Sequence, residues 1–251
     1  MNNLFLEMWK KGQVTIFIII AIIIVATVVL FFVFKENLGI LGSNPEISNI
    51  KGFVESCIEG TGEDAILFVS QNGGYFLTPE FSTSEGIPYY YFNGKNYFPS
   101  KERIENEISL YMNSLLSFCT NEFINFPGFN ISEGDINTKT RIKEEEMIFN
   151  VEYPITIKKG ESESTIIKDF KNIKIPIDIL LVYSAIEEMV NDQIEQESGG
   201  ICISCITEIA SKNDLEIEII PLEDGVTFTV RDNNLKIKGE ALEWRFANRY
   251  G

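Results

Sequence analysis

Cys202 and Cys205, separated by Ile203 and Ser204, have the spacing of a reactive dithiol or of half a metal site. A cysteine at the start of a helix has its thiolate stabilised by the backbone N–H groups there, which is how such pairs become redox active. Two features weigh toward a plain disulfide instead. The intervening residues are Ile and Ser, and a helix and the Gly199-Gly200 turn stand ahead of the pair where a βαβ unit would have a strand. The other two cysteines are Cys57 and Cys119. Several pairings are open in principle. The reading expects Cys57 with Cys119, joining two helices, and Cys202 with Cys205, closing a small loop. A four-thiolate zinc site would require both distant cysteines to converge on the Cys202–Cys205 pair.

Little else in the chain has the makings of catalysis. There is no histidine, so the commonest general base and metal ligand is missing. Ser-His and Cys-His nucleophiles are excluded with it. No phosphate loop, dinucleotide fingerprint or nucleophile elbow is present. Glu63-Asp64, Asp224 and Asp232 are carboxylates able to hold calcium weakly, but none lies in an EF-hand spacing. No residue is assigned to catalysis, to a cofactor or to a metal. Lys and Arg number 21 against 37 Asp and Glu, a formal net charge of −16, which argues against a nucleic-acid partner. The same charge repels anionic headgroups, so the folded part is expected to stand off a membrane. Asn130-Ile131-Ser132 is an N-glycosylation sequon, making Asn130 a modification candidate.

The element that organises the chain lies near its start. From Val14 to Phe34 no residue ionises, and only Thr15 and Thr27 interrupt a run of Ile, Val, Leu, Ala and Phe. As a helix it spans the ~30 Å of hydrocarbon in a bilayer. Lys10 and Lys11 precede it, whereas Lys35 after it is cancelled by Glu36. The positive-inside bias therefore places the N-terminus in the cytoplasm and the rest outside the cell. No small-residue cleavage site follows the apolar run, as a secretory signal peptide would require. An outside location also favours disulfides over thiols.

Lys10-Lys11-Gly12-Gln13-Val14-Thr15 ahead of an apolar helix resembles the class III signal peptide of archaeal type IV pilin-like proteins. The resemblance implies that a prepilin peptidase cuts after Gly12, with Lys10 and Lys11 as the basic pair and Gln13 as the first mature residue. Glycine suits that position because it leaves the backbone unobstructed in a protease cleft. Major pilins of the family carry a glutamate at the fifth mature position, where this chain has Phe17. There the carboxylate neutralises a neighbouring subunit's terminal amine, and a buried amine lacking it is costly. The resemblance therefore implies a minor subunit or a pilin-like anchor that does not polymerise. The remainder resembles single-pass archaeal surface proteins, a likeness that carries no activity.

Beyond the anchor the patterning alternates between helix and strand. Ile47, Ile50, Val54, Cys57 and Ile58, then Ala65, Ile66, Phe68 and Val69, recur at helical spacing, with a kink expected at Gly60-Thr61-Gly62 and a left-handed cap at Gly73. Residues 75–99 are rich in Tyr, Phe and Pro and predict short strands with a hairpin at Asn93-Gly94. Their rings either form a recognition surface or cover a sheet. Ser100 caps a helix whose apolar stripe is Ile104, Ile108, Tyr111, Leu115, Phe118 and Cys119. Strands are expected over 136–143, 147–158 and 165–175, with Glu144-Glu145-Glu146 as a solvated turn. A long helix over 176–197 and a short one over 206–211 follow. A hairpin pairs 216–222 with 226–232, Asn233-Asn234 turns into 235–238, and 241–250 closes the chain.

These blocks imply an α+β fold: an N-terminal transmembrane helix followed by an extracellular domain of helices and antiparallel β-sheet. The expected divisions are a cytoplasmic leader 1–12, a transmembrane helix 13–35, a neck 36–45 and an ectodomain 46–251, divisible at residue 126. The expected function is a pilin-like, membrane-anchored surface subunit, structural or adhesive and not an enzyme. Its partners would be the lipid bilayer, a prepilin peptidase and other pilin-like subunits. An uncleaved single-pass binding protein, and an exported thiol oxidoreductase using Cys202 and Cys205, are the alternatives.

Overall fold

The computed structural model describes residues 19–29, 45–161, 164–195, 201–223 and 225–250, in two units, Met1–Asn49 and Ile50–Gly251. In the first, residues 19–29 form helix α1, exposed along its whole length. The remainder of the expected membrane segment, the processing residues Lys10, Lys11, Gly12 and Gln13, and neck residues 36–44 lie outside the described residues. No helix among the described residues is long and apolar enough to cross a membrane.

The second unit is α+β, and its first helix begins five residues ahead of it, at Pro45. In chain order its elements are α2 (Pro45–Gln71), β1 (Tyr89–Phe92), β2 (Lys95–Asn96), α3 (Lys101–Thr120), a 3-10 turn (Asn121–Phe123), β3 (Asn130–Glu133), β4 (Asn137–Lys143), β5 (Glu146–Lys158), β6 (Thr165–Ile175), α4 (Leu180–Glu195), α5 (Ile203–Asn213), β7 (Glu216–Leu222), β8 (Gly225–Ile237) and β9 (Glu240–Arg249).

α2 runs unbroken through Gly60-Thr61-Gly62, where the sequence predicts a kink. Gly62 serves close approach instead. A Cβ there would lie 2.8 Å from Ile175 Cδ1 and 3.2 Å from the Phe149 ring, so bare backbone seats the helix on β5 and β6. The helix ends on Gly73 as its sequence predicts, with φ +60°. The Gly74 N–H donates to Val69 O at 2.8 Å and the Gly73 N–H to Ser70 O at 3.0 Å, satisfying carbonyls of the last turn.

Five strands form one sheet in the order β2-β1-β9-β8-β7. β7, β8 and β9 are successive antiparallel hairpins, but β1 lies parallel to β9. The sheet is therefore mixed, and elements from both sides of residue 126 share it. β8 continues through Asn233-Asn234, where a turn is expected, because a bulge absorbs the irregularity. Asp232 Oδ1 accepts there from the N–H groups of Asn234 and Leu235. α4 packs on β1 and β8, and α5 on β7. Phe228, Phe246 and Tyr90 stack in the core beneath, with ring centroids 4.9 and 4.6 Å apart.

The second sheet has β5 at its centre. β6 takes one border of β5 along most of its length, while β3 and β4 share the other. β4 alternates strictly between exposed and buried residues, the pattern expected for a sheet with one solvated face. Glu144-Glu145-Glu146 is the turn between β4 and β5, with Glu145 at φ +60°. Asparagine side chains fill gaps in both ladders. Asn150 Oδ1 accepts from the Asn172 N–H at the β5–β6 bulge, and Asn248 Oδ1 from the Tyr91 N–H where β1 shifts register on β9.

α3 lies along the outer border of β4 and bonds to its backbone through side chains. Asn113 Oδ1 accepts from the Thr138 N–H at 2.8 Å, Ser109 Oγ from the Thr140 N–H at 3.1 Å, and Glu105 Oε1 from the Ile142 N–H at 2.9 Å. Four residues of helix rise ~6 Å and two residues of strand ~6.7 Å, so the two repeats stay in step over three contacts. Glu105 Oε2 also pairs with Arg141 at 2.8 Å. This attachment sets the rotation of α3. Ile104, Ile108, Met112 and Leu116 turn inward, and Phe118, expected on the apolar stripe, is 75 % exposed.

Candidate functional site

Cys57 on α2 and Cys119 at the end of α3 are joined as a disulfide with Cα atoms 5.6 Å apart, and Cys202 and Cys205 form a second with Cα atoms 5.3 Å apart. These are the two pairs named from the sequence. Because they are separate, they do not assemble a four-thiolate metal site. Cys202 is the N-cap of α5, which begins three residues earlier than its sequence predicts, and its Sγ accepts from the Cys205 N–H at 3.2 Å. Both cysteines of this pair are half-buried, and Ile203 between them is 54 % exposed.

Two of the candidate carboxylates, Asp64 and Asp232, have structural partners. Among the described residues no cluster of His, Cys, Asp or Glu could hold a metal ion. Asp64 pairs with Lys238, and Asp232 is engaged in the β8 bulge. Asp224 lies outside the described residues. Glu107 is buried, accepts from the Phe76 and Leu77 N–H groups, and meets Arg103 at 2.7 Å. Buried charge of this kind is stable only when so fully paired. Asn130 is exposed at the first position of β3, with Ser132 exposed two residues on, so the sequon is accessible.

The aromatic stretch over 75–99 divides into two sets. Tyr90 and Phe98 face inward. The Trp244 indole N–H donates to Tyr90 Oη at 2.6 Å, and the Tyr90 hydroxyl donates to Gly73 O at 2.8 Å, tying β9, β1 and the end of α2 together. Burial pushes the Tyr90 hydroxyl well above its ordinary pKa, with the Trp244 bond opposing. Burial likewise raises Tyr153, whose hydroxyl meets Thr120 and Glu133; the Thr120 bond opposes the shift and Glu133 adds to it. Both groups keep their protons more tightly folded than unfolded. The stability they contribute is complete below the unfolded value of about 10 and is lost as pH rises toward the folded values. Urea midpoints measured across alkaline pH are expected to hold steady up to about pH 10 and then to fall, less steeply in Tyr153→Phe.

The outer set lies at the surface. Phe81 packs on Tyr97 at 4.6 Å and on Phe92 at 5.5 Å, Tyr89 packs on Phe92 at 5.0 Å, and the Arg249 guanidinium lies 5.4 Å over the Phe92 ring. A turn at 83–87 stands over this face. The Thr83 hydroxyl accepts from the Glu85 and Ile87 N–H groups, and Gly86 adopts φ +82°. On one side of the turn opens a cleft of about 560 Å³, lined by Tyr89, Thr227, Thr229 and Arg245 with Ile220 and Leu222 at the far rim. On the other opens a smaller one of about 300 Å³, lined by Phe81, Phe92 and Arg249. Both share Thr83, Ser84 and Tyr89 and read as one groove. Hydroxyls, aromatic faces, two guanidinium groups and the carboxylates of Glu80, Glu85 and Glu223 line it, a mixed polar and aromatic concavity. Thr227, Thr229 and Arg245 carry no signal in the sequence, since alternating Thr and Arg on a strand also describes any solvated face.

No protein-family model matches this chain, and no curated protein or solved structure matches it.

Proposed function

We propose that the protein is a pilin-like, membrane-anchored cell-surface subunit, with its N-terminus cytoplasmic and its α+β head displayed outside for contact rather than catalysis. The observation that carries this reading is the Lys10-Lys11-Gly12-Gln13 segment directly ahead of the apolar run from Val14 to Phe34. Two features of the head support it. Its four cysteines are all closed as disulfides, which suits an oxidising exterior. Among the described residues the head carries a groove of aromatic, hydroxyl and guanidinium groups, with the carboxylates of Glu80, Glu85 and Glu223 also in its lining. Phe17 in place of glutamate favours a minor subunit or non-polymerising anchor over a major filament subunit. Mass spectrometry of the native N-terminus tests the reading. A chain starting at Gln13 is the expected result, and one retaining Met1 refutes processing and leaves an uncleaved single-pass binding protein. A second reading, an exported thiol oxidoreductase, is favoured by one observation, the Cys202 sulfur capping α5 within reach of the Cys205 amide.

A further inference from the structure

Where the end of α3 is joined to α2 by the Cys57–Cys119 bond, apolar side chains stand exposed among the described residues. Phe118, on the last turn of α3, is 75 % exposed and Ile124 is 63 % exposed. Phe126 lies half-buried against Phe53 of α2 at 5.4 Å, and Phe123 backs both at 6.0 and 6.4 Å. The backbone that presents Ile124 is strained. Asn121, Glu122 and Phe123 take φ values of +43°, +52° and +54° in succession, a conformation unfavourable for side chains larger than glycine. Strained backbone clusters at sites of contact and switching, and exposed apolar patches mark interaction surfaces.

The charge distribution marks the same place. In a chain with 37 acidic residues, the segment 121–129 holds one charged side chain, Glu122. A cation stands at its border: Lys159 lies 5.4 Å over the Phe129 ring. An apolar surface with a basic residue at its rim is the composition of an interfacial membrane contact. The chain leading to it is short. Ten residues, 35–44, separate the apolar run from Pro45, a reach of at most ~35 Å. Along α2, Phe53 follows Pro45 by only about 12 Å.

We infer that Phe118, Ile124 and Phe126 form a foot by which the head rests in the headgroup layer of the bilayer that holds its anchor. The inference builds on the reading of residues 14–34 as a membrane span. It departs from the expectation that the acidic head stands clear of lipid. The repulsion acts on the head as a whole, whereas the segment 121–129 itself carries only Glu122 among acidic residues.

The test uses the full chain in phosphatidylcholine vesicles with brominated acyl chains. Trp9→Phe removes the native tryptophan in the leader, leaving the buried Trp244 as a constant background. Ile124→Trp places a probe in the foot, and Ile166→Trp, at a position 66 % exposed on β6, is the control. Interfacial groups lie ~5–10 Å into the headgroup boundary, so the probe at 124 is expected to be quenched about twofold and the probe at 166 not at all. If the chain floats with the vesicles but neither probe is quenched, the foot is refuted and the anchor stands. Emission from position 124 that is blue-shifted but unquenched, with the shift lost at high lipid-to-protein ratio, assigns the surface to a second copy and refutes the lipid contact. A chain that does not float with vesicles overturns anchor and foot together.

Discussion

Replacing Cys57 and Cys119 together by alanine is expected to lower the unfolding free energy of the head by about 4 kcal/mol, on the chain-entropy relation for a loop of this size. The bond spans 62 residues of sequence and fastens α2 to α3, so its removal frees a large part of the denatured chain. Cys202 and Cys205 are only three residues apart, and the same relation assigns their bond about 2 kcal/mol. The two double variants, Cys57→Ala with Cys119→Ala and Cys202→Ala with Cys205→Ala, should therefore separate clearly in urea midpoint. An equal loss from both would show that the long-range bond does not act through the unfolded chain. The second variant also tests the oxidoreductase reading. If the pair exchanges with an external dithiol, the wild-type chain oxidises that dithiol, and the variant does not even under conditions where it remains folded.

Gly73→Ala is expected to cost a comparable amount, about 4 kcal/mol, from two independent sources. With φ at +60° the residue lies in the left-handed region, where a Cβ is unfavourable in itself. The added methyl would also lie 2.5 Å from Arg245 O and from Pro88 Cγ. Arg245 O is backbone in β9 and cannot swing aside. Any shift of Gly73 also disturbs its carbonyl, which accepts from Tyr90 and through it anchors Trp244. Gly94 supplies the control: its φ is +80° but nothing lies within 4 Å of a Cβ there. Gly94→Ala should therefore cost only about 1 kcal/mol. Thermal unfolding of both variants measures the difference, and parity between them would mean that the contact with β9 is relieved at little cost.

Local chemistry made much of this fold legible. Ser100 as a helix cap, Gly73 as a helix stop, the Asn93-Gly94 hairpin and the pairing of 216–222 with 226–232 are all specified by neighbouring residues, and each has its counterpart in the structure. The misreadings share a different origin. Gly62 resembles a helix breaker until Ile175, more than a hundred residues away, is known to need the space. Phe118 fits the apolar stripe of an isolated helix, but Glu105, Ser109 and Asn113 turn α3 toward β4 and leave Phe118 outside. The parallel pairing of Tyr89–Phe92 with β9 joins segments some 150 residues apart and has no local signature. The groove inherits this. Tyr89 was visible as one of many aromatics, but its neighbours Thr227 and Arg245 arrive only through that long-range pairing. The Cys202–Cys205 pair was accessible because its members are three residues apart, and the remaining two cysteines then have only each other.

The side-chain attachment of α3 also limits what these heads can do in company. Asn113, Ser109 and Glu105 stand in for the backbone of an absent neighbouring strand, so the ladder terminates at β4 as if already complete. A foreign chain seeking to extend the sheet there must first peel away a helix that a disulfide holds at its far end. β6 carries Lys168, Lys171 and Lys174, each paired with a carboxylate (Glu152, Asp169 and Glu146), so ion pairs rather than an apolar row lie along this strand. Joining two copies through the β4 border of this sheet would therefore require α3 to detach.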